Sequence, residues 1–260
     1  MADRAQMPSD APASAMVLAA GLGTRMRPIT DHTPKPLVEV AGRSLLDRAL
    51  DALVAAGVER AVVNVHHLAH RIEAHLDTRS DLAFTVSDER EALLDSGGGV
   101  ARAVSHLDDT FFVLNADTFW VEADGDGGSG DGGGNGRAPS LQRMAAALDG
   151  NADIVMLLVP HGRAVGFAGR GDFFMDEAGH LERRGERDRA PFVYAGALLM
   201  RRSTFADAPD GAFSLNLLFD RAIASGRLKG VVMDGLWLHV GTPDAIKEAE
   251  TALEAWREAA

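Results

Sequence analysis

Short apolar runs and amphipathic helical patterns take turns along this chain from Ala15 almost to its last residue. The run 15–20 is continuous and apolar, as a strand covered on both faces must be, and residues 44–57 place apolar side chains at helical spacing before stopping at a glycine. Residues 59–67 are extended again, 68–76 helical, 82–87 extended, 100–107 helical and 110–117 a hydrophobic strand with a polar end. Strands separated by helices pair side by side in one direction, because a crossover returns the chain to the edge it left. The expected fold class is therefore α/β, with a mixed, largely parallel central sheet flanked by helices.

The second half keeps the pattern. It gives a helix over 140–148, a strand over 152–159, short strands with turns in 171–185 and a strand over 192–200. A helix over 215–226 and an extended stretch over 228–241 follow. A final helix opens with Thr242 as its N-cap and Pro243 in its first turn. Residues 1–14 are small and polar and read as a flexible tail without the apolar centre of a secretory signal. Residues 123–136, rich in glycine and aspartate, read as a flexible insertion within a single domain over 15–260.

Composition narrows the function. A net charge of −12 repels nucleic-acid backbones and anionic membrane surfaces, so neither is an expected partner. No apolar run has membrane-spanning length, and the absence of cysteine excludes disulfides, thiolate metal sites and cysteine nucleophiles. A cytoplasmic setting is expected. An anionic ligand must then be met by a local cluster of cations, and "MVLAAGLGTRMRPITDHTPKPLVEV" (16–40) supplies one. It follows the first strand, where open α/β sheets bind ligands. Gly21 and Gly23 let the backbone approach a bulky anion, and Arg25, Arg27 and Lys35 are suited to phosphate oxygens. Pro34 and Pro36 stiffen the mount of Lys35, which is expected to be extended. The P-loop string is absent. The dinucleotide fingerprint lacks its third glycine, since Met26 stands there, and its acidic residue after the second strand, so an oxidoreductase is disfavoured.

The segment "LAAGLGTRMRPITDHTPKPLVEVAGRSLL" resembles the signature of sugar-1-phosphate nucleotidyltransferases, and the resemblance runs in order to the C-terminal helix. It implies a Rossmann-like, GT-A-type fold, with a nucleoside triphosphate and a sugar 1-phosphate as substrates and Mg²⁺, or Mn²⁺, as the cofactor. Among short members, uridylyl transfer from UTP to N-acetylmuramate 1-phosphate in peptidoglycan recycling is the first expectation, and guanylyl transfer to mannose 1-phosphate the second. A nucleotide-sugar-binding regulator without catalysis is the alternative of another class.

Carried over by position, the resemblance gives Arg25, Lys35 and Asp117 catalytic roles. Gly21, Gly23, Thr24, Arg25 and Lys35 would hold the triphosphate, and Gly97 and Gly98 of "DSGGGVARA" would bring backbone to the base. Asn115, Gly171, Glu186, Tyr194, Gly196 and Asn216 would surround the sugar phosphate. Asp117 would hold the metal together with the residue before "VGT", which is His239 in this chain. Imidazole is a poor Mg²⁺ ligand beside carboxylate. His66, His67, His70 and His75 lack metal-site spacing and are expected at the surface or at caps.

Overall fold

The apolar run after residue 13 forms the strand about which the sheet is laid out. In the computed structural model, which describes residues 12–122 and 138–259, this is β1 (Ser14–Leu18). There follow β2 (Arg60–Val65), β3 (Ala83–Asp88), β4 (Thr110–Asn115), β5 (Thr118–Glu122), β6 (Ile154–Pro160), β7 (Phe192–Arg201), β8 (Leu228–Val232) and β9 (Gly235–His239). The helices are α1 (Leu45–Ala55), α2 (Ala69–Leu76), α3 (Asp95–Ala103), α4 (Ser140–Ala147), α5 (Asn216–Ala224) and α6 (Pro243–Ala259). The first eleven residues of the tail expected over 1–14, and the whole insertion expected over 123–136, lie outside the described residues. Ser14, assigned to that tail, instead begins β1. It is buried, and its hydroxyl accepts the N–H of Asp108 at 2.8 Å.

The main sheet runs β8, β6, β7, β4, β1, β2, β3, and every strand but β7 points the same way. A small hairpin, Phe173–Met175 with Leu181–Arg183, attaches at the start of β7. The chain winds from β1 to β2 and β3 on one side and then crosses to β4 on the other side of β1. Loops leaving the carboxyl ends of β1 and β4 therefore diverge, and a crevice opens between them.

Alternation along β1 divides the core. Ala15 and Val17 pack with Leu50 and Leu53 of α1 and Ile72 of α2, whereas Met16 packs with Val100 of α3 and Leu218 of α5 on the opposite face. A third cluster joins Met26 and Val38 to Phe119 of β5, Leu238 of β9 and Leu253 of α6. It gives the long segment between β1 and α1 a core of its own, so that segment is anchored at both ends. β5 and β9 pair in antiparallel register, with His239 opposite Thr118. The Glu122 carboxylate accepts the Ser140 N–H at 2.9 and 3.0 Å and the Trp120 indole N–H at 3.0 Å. The two ends of the undescribed segment thus meet.

Candidate active site

The crevice between β1 and β4 encloses a cavity of about 470 Å³, a size suited to a nucleotide-scale ligand. One wall is the turn after β1. Gly23 sits at φ 62°, and a side chain there would press on Thr30 and on Lys35 Cβ. The Thr30 hydroxyl donates to the Gly23 carbonyl at 2.9 Å, which closes the turn. Gly21 lines the cavity and has open space where a Cβ would point, so packing does not account for its small size. Thr24 and Arg25 lie exposed in a short 3₁₀ turn, and Arg25 makes no ion pair with any described residue. Arg27 points elsewhere and pairs with Asp31 at 3.3 Å.

Lys35 heads the 3₁₀ turn Lys35–Leu37 instead of standing on an extended segment. Pro34 before the turn is extended, and its carbonyl accepts the Leu37 N–H at 2.8 Å. The Lys35 ammonium reaches across the cavity to Asp117 Oδ2 at 2.9 Å. Asp117 follows the end of β4, with Asn115 beside it in the cavity wall. The residues expected to serve phosphate and metal are therefore partners of each other. Among charged residues the cavity wall holds two cations, Arg25 and Lys35, against three carboxylates, Glu89, Asp95 and Asp117. The local positive cluster anticipated from the sequence is balanced.

The glycines of α3 have a different role from the one expected. The N–H groups of Gly97 and Gly98 both donate to the Phe213 carbonyl, at 2.8 and 3.0 Å, which leaves neither free for a base edge. A Cβ on Gly97 would meet the Phe213 ring at 2.4 Å, and one on Gly98 the Gly211 carbonyl at 2.2 Å. Gly99 makes room for a polar pair instead, since its Cβ would collide with Glu89 Oε1 and Asn64 Nδ2.

That pair was not anticipated. Asn64, at the end of β2, accepts the Ala19 N–H at 2.7 Å and donates to Glu89 Oε1 at 2.8 Å, while Glu89 Oε2 accepts the Leu94 N–H at 3.0 Å. Glu89 is 1% exposed. A buried carboxylate needs such partners, and through them it fixes the start of the glycine turn against the loop before α3. The sequence signal was a lone asparagine inside the apolar run "AVVNV". Leu22, Leu93, Asp95 and Ser96 also line the cavity, and the exposed Leu22 and Leu93 give it apolar flanks.

On the sugar side, Gly196 sits at φ 82° in β7, where a Cβ would lie 2.3 Å from Thr118 Oγ1. Tyr194 packs edge-on to Phe219, and its buried hydroxyl has no hydrogen-bond partner among the described residues. Burial and the neighbouring Asp117 charge push the phenol well above its ordinary pKa. Neither Gly196 nor Tyr194 lines the cavity, and neither do Gly171, Glu186 and Asn216. Gly171 packs against the Ala190 carbonyl, Glu186 is exposed in a turn, and Asn216 accepts from Arg183 at 2.8 Å.

His239 does not line the cavity either. Its ring stacks on Trp237, Nδ1 faces the Gly166 carbonyl at 3.2 Å, and Gly241 covers it. With Asp117 paired to Lys35, the described residues contain no group of three side chains able to hold a metal ion. The donors among the described residues do not fit a resident divalent ion. Of the histidines expected at the surface or at caps, His70 is exposed, and three half-buried ones bridge elements: His66 to the Glu89 carbonyl at 2.6 Å, His67 to the Thr30 carbonyl at 2.8 Å and His75 to Asp47 at 3.0 Å.

Comparison with known proteins agrees with this geometry. Residues 15–124 match the MobA-like NTP transferase domain. The chain is 43% identical to the N-acetylmuramate alpha-1-phosphate uridylyltransferase of Caulobacter vibrioides, over 94% of this chain and 98% of that protein. Its identity to the enzyme of the same description in Neisseria meningitidis is 31%, over 94% and 99%. The mannose-1-phosphate guanylyltransferase catalytic subunit beta of Drosophila pseudoobscura is 40% identical, over 40% of this chain and 29% of that protein. The crystal structure of HddC from Yersinia pseudotuberculosis complexed with GMP-PN shares the fold, with a TM-score of 0.71 and 21% identity over 93% of this chain and 99% of that one. An end-to-end match to the two uridylyltransferases, on a mostly parallel sheet with its cavity at the β1/β4 reversal, leads to one conclusion: the chain belongs to the sugar-1-phosphate nucleotidyltransferase family.

Proposed function

We propose that this enzyme transfers a uridylyl group from UTP to N-acetylmuramate 1-phosphate, releasing pyrophosphate. The observation that carries the substrate choice is extent. Similarity to the two uridylyltransferases spans 94% of the chain, whereas similarity to the guanylyltransferase stops at 40%. An oxygen of the sugar phosphate attacks the α-phosphorus, the bond from that phosphorus to the bridging oxygen breaks, and pyrophosphate carries the electron pair away. No covalent enzyme intermediate is needed. The protein's task is to align two anions and to offset the charge that develops.

In this reading the turn around Gly21, Gly23 and Thr24 receives the triphosphate, and Arg25 steadies the departing pyrophosphate. Lys35 meets the reacting phosphates, and Asn115, Tyr194 and Gly196 border the sugar phosphate. The divalent cation is Mg²⁺ or Mn²⁺. The product would return a salvaged cell-wall sugar to precursor synthesis in the cytoplasm.

The test is pyrophosphate release from a panel of four nucleoside triphosphates against N-acetylmuramate 1-phosphate, N-acetylglucosamine 1-phosphate and mannose 1-phosphate, with each cation. UTP with N-acetylmuramate 1-phosphate should give the highest kcat/KM. GTP with mannose 1-phosphate in first place would replace this reading by the guanylyl one, and tight binding without turnover of any pair would make the chain a regulator. Lys35→Ala should lower turnover about a hundredfold, because it removes positive charge from the reacting phosphates, and Asp117→Asn should lower it comparably, because it removes the carboxylate that holds the Lys35 ammonium in the cavity.

A further inference from the structure

We infer that His67 is a positioning residue for this reaction: through Thr30 it sets the segment that carries Gly23, Arg25 and Lys35 against the residues at the end of β4. This holds on the nucleotidyltransferase reading of the cavity, whichever base or sugar it accepts. His67 lies two residues beyond β2, half-buried, and does not line the cavity. Its Nε2 meets the Thr30 carbonyl at 2.8 Å, and because a carbonyl oxygen only accepts, Nε2 carries the proton. Thr30 is 1% exposed and belongs to the short 3₁₀ turn Ile29–Asp31. Its hydroxyl donates to the Gly23 carbonyl at 2.9 Å, and its methyl group packs on Gly23 beside Lys35 Cβ. One buried threonine thus joins the histidine to the glycine turn.

The sheet order explains why the tie comes from β2. This strand stands between β1 and β3, and its two histidines reach the segments that follow those neighbours: His66 to the Glu89 carbonyl after β3, and His67 to Thr30 after β1. The chain then turns at Leu68, whose φ of 52° is left-handed and persists in a residue with a side chain only where the surroundings impose it. Met26, Ile29 and Val38 pack the other way, towards β5, β9 and α6. The His67 bond therefore holds to the main sheet a segment whose own core lies elsewhere. No ligand in the cavity competes for that bond. In the proposed reaction one anion sits on the turn and the other beside β4, and the rate depends on their alignment. With the tie cut, each half keeps its own ligand contacts while the spacing between the halves loosens. The loss should fall on kcat and spare KM.

His67→Leu, His67→Gln and Thr30→Val test this by pyrophosphate release with the parent's best substrate pair. Glutamine offers an N–H donor at about the reach of Nε2, whereas leucine offers none. His67→Leu should lower kcat about thirtyfold with both KM values within about threefold, and His67→Gln should recover most of the loss. Thr30→Val keeps the shape and removes the link to Gly23, so it should lower kcat about tenfold, and the double variant with His67→Leu should be no slower than the slower single one. It leaves His67 in place, so it reads the path even where His67→Leu fails to fold. Equal losses for leucine and glutamine, a raised KM at unchanged kcat, or additive losses in the double variant would each overturn the assignment. Hydrogen exchange needs no substrate, so it decides the matter even if the parent turns over no pair and the nucleotidyltransferase reading fails. In His67→Leu the amides of Met26 and Leu37, which donate to the Gly23 and Pro34 carbonyls, should exchange about tenfold faster while those of Gly97 and Gly98 keep the parent's rate. Unchanged exchange at Met26 and Leu37, or an equal rise at all four, would reduce His67 to a packing residue.

Discussion

His239 stacks on Trp237, with ring centroids 6.0 Å apart and planes 6° from parallel. Gly241 lies against the ring, close enough that a Cβ there would be 2.8 Å from the imidazole Cε1. The ring is thus a packed layer. His239→Phe keeps both faces and removes the nitrogens, so its melting temperature should match the parent and its turnover should stay within about tenfold. His239→Asp loses the stack and sets a carboxylate towards the Gly166 carbonyl, which should cost about 1 kcal/mol of stability. Thermal melts and pyrophosphate release on both variants decide the matter. A hundredfold fall in turnover for His239→Phe with an unchanged melt would put the imidazole at the phosphates after all.

Gly98→Ala should destabilise the protein by about 2 kcal/mol. The added methyl would sit 2.2 Å from the Gly211 carbonyl, which belongs to backbone and cannot swing aside. Ala is otherwise the better helix former by about 1 kcal/mol, so any net gain in a urea melt would contradict the packing described for α3.

The glycines of α3 also show what a sequence conveys and what it withholds. The run "DSGGG" marks a place where side chains are not tolerated, and the structure agrees. Whether their N–H groups are free for a ligand depends on the Phe213 carbonyl, more than a hundred residues later, which no local pattern encodes. The strands were legible because burial on both faces leaves continuous apolar runs, as in β1, β4 and β6. Asp117 was legible as a polar residue after such a run, whereas its pairing with Lys35 spans 82 positions and was not. Glu89 was hidden among exposed charges in "SDERE", although it alone of that group is deeply buried.

Tyr194→Phe should separate stability from activity. Its hydroxyl is buried without a partner among the described residues, and removing such a group typically stabilises a fold by about 1 kcal/mol. The phenol stays protonated in any neutral assay, because burial and Asp117 raise its pKa. A hydrogen bond to the sugar phosphate would therefore be lost in the variant, raising KM for that substrate and leaving KM for the nucleotide unchanged. A lower melting temperature, or equal shifts in both KM values, would contradict the assignment.

Acid should weaken the contact between α1 and α2 before neutral solution does. Burial alone would raise the Asp47 carboxyl, but hydrogen bonds from His75, Arg79 and Ser44 outweigh it and hold the group at about 2, below the usual 3.8. Because the folded pKa is depressed, the stabilisation is fully present above pH 4 and is lost as pH falls towards 2, with a magnitude on the order of 2 kcal/mol. Stability against pH for the parent should fall through that window. The same curve for Asp47→Asn should start lower and be flatter there, and parallel curves would remove Asp47 from the account.

The opposed direction of β7 has a consequence for how such a protein diversifies. β1, β2 and β4 bring their last residues and the loops after them to the crevice, whereas β7 stands behind it, with Gly196 against Thr118 and Tyr194 against Phe219. Connecting segments gain and lose residues freely, whereas one residue added inside a paired strand turns every later side chain to the other face. The half of the crevice built from loops can therefore change its lineage by insertion and deletion. β7, paired on both sides, can change only by exchanging one side chain for another at a fixed position.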